Sequence, residues 1–382
     1  MKVPKTISFF FLAGWALGSL YIFPSGLPQP TDFILAVWIL IVFGFLLSRK
    51  IPCTKSDRKI FIPLLLLIAW IVIVSISNAV YFDIPEIAFP ALFYIYNASF
   101  FLAYMSCAIL FGEHWRKITL DALFYAAMLM LLLYAKNFDI HSSRQLAGFN
   151  NPNQLGYYSL LLFCSFTVIA RREEVSSARG LFIIIFSTIG VLSTASLAAT
   201  GALVLAYIGF YLHYFKLKNL KYILVSAPVI VLVLFSISYF TQVDNYILNA
   251  WDARLNVLER KMEQVEVERG YNRIVEFPEY IIFGAGERGH FERFGLGHTH
   301  EIHSSLGTLL FCYGILGLLL FSIIYIRAFY SGPFFLLLIA AAPIVYSLTH
   351  QGLRTTAFWL LIALLYFYWS RKDTKSMQNI NK

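Results

Sequence analysis

Three clusters in the 382-residue sequence combine the residue types that could grip an anion or move a proton. The first is Arg144-Gln-Leu-Ala-Gly148-Phe-Asn150-Asn151-Pro152-Asn153. Asn-Pro starts a turn, Pro152 can open a helix and Asn153 could cap it, which would leave amide donors and an arginine at a helix start. The second holds Arg269 and Arg273 and then Gly284-Ala285-Gly286-Glu287-Arg288. Arginine suits a bidentate hold on phosphate oxygens, and a glycine turn lets backbone N–H groups approach an anion. Equally, such arginines could simply pair with Glu268, Glu276 or Glu287 in a solvated loop. The third is Gly297-His298-Thr-His300-Glu301-Ile-His303-Ser304-Ser305, and four of the chain's eight histidines fall between His290 and His303. His-x-His-x-x-His could bind zinc, although no Asp or Cys supplements it; a neutral imidazole could instead take a proton from an attacking hydroxyl, or pack at the level of lipid headgroups.

The elements that must position these clusters are apolar. Hydrophobic residues make up 59% of the chain and charged ones 13%, more apolar surface than a water-soluble globule of this size buries. On the ruler of a ~30 Å bilayer core, twelve spans are predicted: 7–23, 33–48, 60–81, 87–111, 120–135, 154–170, 180–196, 198–215, 222–240, 304–326, 333–349 and 354–370. The first follows Lys2 and Lys5 but runs into Pro24-Ser25-Gly26 without a small-residue cleavage site, so it is expected to be a retained helix. The predicted fold is therefore all-α and polytopic. Spans one to nine occupy 1–240, a large extracytoplasmic loop 241–303, and the last three spans with a cytoplasmic tail 304–382.

Charge gives an independent orientation. With both termini inside, the inner loops carry Arg49, Lys50, Lys55, Arg58, Lys59, Arg116, Lys117, Arg171, Arg172, Arg179, Lys216, Lys218, Lys221, Arg327, Arg371, Lys372 and Lys375, while the short outer loops carry little beyond Lys136 and Arg144. The loop 241–303 holds 7 of the 30 Lys and Arg and 11 of the 21 Asp and Glu, a net of −4, leaving 23 and 10, or +13, elsewhere. The overall charge of +9 thus reports orientation and gives no sign of a nucleic-acid partner. Within the loop, Trp251, Leu255, Leu258, Met262 and Val265 recur at helical spacing, as in an amphipathic helix over the membrane domain or on the lipid headgroups. Of the four cysteines none lies in that loop, so it contains no disulfide framework or thiolate metal site.

From these residues onward the sequence resembles a family, the bacterial O-antigen ligases and the related O-antigen and exopolysaccharide polymerases. An arginine, a glycine and Asn-Pro-Asn precede a helix over 144–156; Phe283-Gly284-Ala285-Gly286 follows; and His303 stands eleven residues before Gly314-Ile315-Leu316-Gly317. The twelve-helix layout extends the resemblance over the whole chain. Two positions depart from the family pattern: Ser304 stands where asparagine usually follows the loop histidine, and Thr200-Gly201 where a Ser-Arg pair is usual. The resemblance implies a metal- and cofactor-independent, inverting glycosyltransferase of the bacterial inner membrane, acting on a glycan carried by undecaprenyl diphosphate. His303, with His300 as second choice, would be the catalytic base; Arg144, Asn151, Asn153, Arg273, Arg288 and Arg354 would bind the diphosphate and glycan. The acceptor would be lipid A–core for a ligase or another lipid-linked repeat for a polymerase, and the displaced arginine tilts the expectation to the polymerase. Membrane lipid and a chain-length regulator are the implied partners.

Two other classes remain open from the residues alone. Twelve spans also suit a lipid or sugar transporter, but none carries Asp, Glu, Lys or Arg near its centre, where such a charge costs roughly 2.5–3.5 kcal/mol and usually marks an ion path. A membrane scaffold would leave the outer arginines and histidines without a role.

Overall fold

The computed structural model of the chain describes residues 2–49, 51–139, 142, 144–214, 269–288, 293, 294 and 301–371. Helix accounts for 75% of them, and they contain no strand. In chain order the helices are α1 (Lys5–Ala16), α2 (Pro30–Leu46), α3 (Lys55–Phe82), α4 (Phe89–Phe111), α5 (Glu113–Lys136), α6 (Pro152–Ile169), the short α7 (Arg172–Val175), α8 (Ala178–Leu192), α9 (Leu197–Tyr214), the short α10 (Asn272–Glu276) and α11 (Tyr280–Phe283), α12 (Ser305–Phe329), α13 (Phe334–Ser347) and α14 (Thr356–Leu365). A π-turn over Tyr366–Ser370 extends α14, and a 3-10 turn over Pro85–Ile87 leads into α4.

Eleven of the predicted stretches fall on these helices, while 222–240, the helical pattern around Trp251 and most of the large loop lie outside the described residues. Length and apolar character together separate the eleven. Five segments are long and apolar enough to cross a membrane: Lys55–Phe82, Pro85–Phe111, Glu113–Lys136, Leu197–Tyr214 and Ser305–Phe329. α3 shows what such a surface demands, since Ile62, Leu65, Leu66, Ile73, Ile76 and Val80 all face outward, an apolar stripe suited to lipid and costly in water. Of the others, α1, α8, α13 and α14 are shorter than their apolar runs. α1 has 12 residues, α13 has 14, and α14 has 10 with 5 more in its π-turn, so at ~1.5 Å per residue each spans less than the ~30 Å of a bilayer core. All three, with α2 and α6, end at one large cavity, and the residues trimmed from the helices form its walls.

Local chemistry sets those ends. α2 starts on a reciprocal cap in which Gln29 and Asp32 satisfy each other's backbone, and the Gln29 side chain also binds the backbone of Ile22, Phe23 and Leu27, stapling the α1–α2 turn. α6 opens with Pro152, but its cap is Asn151, whose side chain accepts from the Asn153 N–H at 2.8 Å. Sequence reading gave that task to Asn153; Pro152, which fixes the first helical φ, puts the extended Asn151 at the cap and leaves the Asn153 amide group outside it.

α12 is broken at Gly314, which has φ +68. Three carbonyls around the break find donors outside the helix: Phe311 from Ala285 N–H at 2.9 Å, Cys312 from Gly286 N–H at 2.9 Å, and Tyr313 from the Trp70 indole at 2.7 Å. A Cβ on Gly284 would stand 2.4 Å from the Cys312 carbonyl oxygen, and one on Gly314 2.2 Å from that of Ile282. Only glycine allows this backbone-on-backbone contact. The turn at 284–286 was expected to offer N–H groups to an anion; it docks the loop onto α12 instead, and two of its donors are consumed there.

The two ends of the bundle differ in kind. At one end Arg116 binds Glu113 and Glu174 at 2.7 Å, Arg171 binds Glu113 at 2.9 Å, and Arg371 binds the fully buried Asp57 at 3.1 Å. The described members of the basic inner-loop set belong to this end. The opposite end carries the α1–α2, α3–α4, α5–α6, α8–α9 and α13–α14 turns and the start of α12, and there the cavity opens.

Candidate functional site

The cavity has a volume of about 1110 Å³. That exceeds the roughly 300–1,000 Å³ of most small-ligand sites, so it has room for more than one compact group. Three arginines (Arg269, Arg288, Arg354), two histidines (His303, His350) and four acids (Asp32, Asp83, Glu86, Glu301) line it, together with Asn151, Asn153 and an aromatic set that includes Trp15, Tyr21, Tyr96, Tyr157 and Tyr346.

Among the residues singled out from sequence, His303, Asn151, Asn153, Arg288 and Arg354 share this wall. Arg144 reaches it through Asn153, donating to the Asn153 side-chain oxygen at 2.7 Å and to the Thr194 carbonyl at 2.7 Å. Arg273 does not line the cavity; it is 2% exposed on α10, packed beside Gly270 behind the segment that carries His303. His300, with His290 and His298, lies outside the described residues. Among the described residues no group of three or more His, Cys, Asp or Glu is gathered as a metal site.

His303 is exposed on a backbone pinned on both sides. Its N–H binds the Arg269 carbonyl at 3.0 Å, and Ser304 caps α12 by accepting from Gly307 N–H at 3.1 Å while donating to the Ser347 carbonyl. Ser304 thus serves the helix end and the α13–α14 turn. The Thr200 hydroxyl lies in the first turn of α9, away from the cavity lining.

Arg354 is more enclosed than Arg288. It binds Glu287 at 3.0 Å and Glu301 at 3.3 Å, and its backbone carbonyl accepts from the Asn97 amide at 3.0 Å. Glu287 is buried and also accepts from the Tyr94 hydroxyl at 2.9 Å and the Gln351 amide at 3.2 Å. Burial pushes its carboxyl up, while Arg354 and the Tyr94 hydroxyl pull against that. Arg288, at φ +64, reaches the Gly26 carbonyl at 3.2 Å and lies 3.9 Å from Glu301.

Sequence reasoning missed His350 and Gln351, in the short turn between α13 and α14. The signal was available: a polar Thr-His-Gln turn between two apolar runs, on the same side of the predicted alternation as His303. His350 ends a ring stack, 4.6 Å from Tyr346, which lies 4.4 Å from Tyr157, and its Nδ1 is 2.9 Å from the Thr349 hydroxyl. Burial first, and then the nearby Arg269 charge, hold its imidazole down at about 3, so it is neutral at pH 7. Because the unfolded chain would bind this proton below pH ~6.5, its share of stability is complete above that value and shrinks as pH falls toward 3. Acidifying from pH 7 to 5 is expected to cost about 2 kcal/mol at this one group. Thermal unfolding of His350→Asn should lose that part of the pH dependence, and an unchanged slope would refute it.

No protein-family model matches the sequence, and no curated protein does.

Proposed function

We propose that the chain is a membrane glycosyltransferase that moves a glycan from undecaprenyl diphosphate to an acceptor hydroxyl at the outer face of a bacterial inner membrane, in the manner of the O-antigen and exopolysaccharide polymerases. The observation that carries this reading is the meeting of His303 with Arg269, Arg288, Arg354, Asn151 and Asn153 around one cavity, at the end of the bundle opposite Arg116, Arg171 and Arg371. Positive residues favour the cytoplasmic side, which supports a cavity open to the outer side in an arrangement of twelve spans with both termini inside.

In this mechanism the His303 imidazole accepts the proton of the acceptor hydroxyl as its oxygen bonds to the anomeric carbon. The bond from that carbon to the phosphate oxygen breaks, its electron pair leaves with the lipid diphosphate, and the anomeric centre inverts. The leaving group gains one negative charge, and the arginines of the wall lower the barrier by meeting that charge where it develops. A guanidinium fork matches phosphate oxygens, so the wall can do this with side chains alone.

Deleting the gene and resolving surface polysaccharide by gel tests the reading. Single repeats where chains should stand are expected for a polymerase. Free polymer unattached to lipid A–core would assign the ligase reaction instead, and unaltered glycan would remove the transferase proposal in favour of transport or scaffolding.

A further inference from the structure

Building on the reading of the cavity as a lipid-diphosphate site, we propose that Glu301 is a resident anion that occupies this subsite between turnovers and is displaced by the incoming diphosphate. Arg354 has two carboxylate partners of opposite character. Glu287 has a side chain 2% exposed and is held by Tyr94 and Gln351 as well, so it is a permanent partner. Glu301 is 35% exposed, lines the cavity, and bridges Arg354 at 3.3 Å and Arg288 at 3.9 Å. One carboxylate therefore spans the two arginines that a diphosphate would bridge with its two phosphoryl groups. The longer of the two contacts is no hydrogen bond, and a partly exposed ion pair of that kind is weak, so a ligand with more negative charge and fork-matched oxygens outcompetes it.

Movement of the side chain alone is enough for the exchange. Ile302 is 3% exposed and its carbonyl accepts from Thr308 at 3.2 Å, and the His303 N–H is held by Arg269. The backbone beside Glu301 therefore stays in place while the carboxylate turns out into the cavity, and His303 is not displaced when the anion arrives. A built-in competitor has a use in such a reaction. Loss of the glycan leaves a diphosphate of higher charge than the substrate, and an arginine wall with no internal rival would hold that product most tightly of all. Return of Glu301 supplies the rival and speeds release.

Titrating the purified, detergent-solubilised protein with inorganic pyrophosphate tests the exchange. Glu301→Gln is expected to tighten binding by about tenfold, because the bound anion no longer displaces a charge, whereas Glu301→Asp should stay near the wild type. Glu86→Gln, which removes a charge from the same cavity at a position with no arginine partner among the described residues, should change affinity by less than about twofold. Wild-type binding that Glu301→Gln leaves unchanged or weakens overturns the exchange and spares the diphosphate reading. Equal tightening by Glu301→Gln and Glu86→Gln also overturns it, as a cavity-wide charge effect. Failure of the wild type and of Glu301→Gln to bind pyrophosphate at all would overturn both.

Discussion

Replacing His303 by alanine is expected to lower glycan transfer by about 10²- to 10⁴-fold, the usual loss when a positioned proton acceptor is removed, while lipid-linked donor accumulates and protein abundance is unchanged. Separate effects on folding and transfer are expected because the local scaffold is held by backbone groups and by other side chains. The backbone of residues 302–304 is held by Thr308, Arg269 and the Ser304 cap, all of which survive the substitution. His350 offers the internal comparison. It lines the same cavity and is held neutral, but its ring is stacked on Tyr346 and its Nδ1 is engaged with Thr349, so it is a wall of the site more than a mobile proton carrier. The measurement is donor and polymer on one gel against immunoblotted protein. Transfer at the wild-type rate in His303→Ala would end its assignment as base, and the same experiment on His300→Ala would show whether the second imidazole takes that part.

Helix positions were legible in the sequence because apolar runs and their flanking charges are local signals, and Asn-Pro at 151–152 marks the start of α6; the Thr54 and Asp57 cap that starts α3 five residues before its expected span at 60 was not read. Helix lengths were not legible. α1 and α13 stop short although their apolar runs continue, since what ends them is a set of long-range contacts such as Thr31 with the Gly14 carbonyl and Tyr346 with the Asn153 carbonyl. Composition does not record whether an apolar residue faces lipid, protein or a cavity wall.

The same limit applies to the site. Arg144, Asn153, Arg288, Arg354 and His303 could be picked out because arginine, asparagine and histidine beside an apolar run have few other uses. Arg273 carries the same signal and sits behind the wall, buried, because residue type says nothing about which side of a five-residue helix faces the cavity. Glu287 was read as a loop acid available to any nearby arginine; its burial against Tyr94 and Gln351, residues far away in sequence, makes it the fixed partner of Arg354. Glycines 284 and 314 were seen as a pair of motifs, yet each requires the other, one backbone resting on the other.

That buried pair gives the second large effect. Arg354→Met leaves the Glu287 carboxylate without its cation in an enclosed site, and removing one member of a buried pair typically costs about 3–5 kcal/mol, so this variant should show a lowered Tm and reduced abundance as well as lost transfer. The double variant Glu287→Gln/Arg354→Met removes both charges and should recover most of the stability, because the desolvated carboxylate is gone. Transfer should stay at least about 100-fold down, since the guanidinium that meets the leaving diphosphate is still missing. Arg354→Lys separates the two duties from the other side. A lysine keeps the charge beside Glu287 and so the fold, but a single ammonium cannot serve a buried carboxylate and a phosphate fork together, so turnover falls while the unfolding temperature holds. If the double variant regains both stability and transfer, Arg354 is a structural cation alone and the leaving group is held by Arg269 and Arg288.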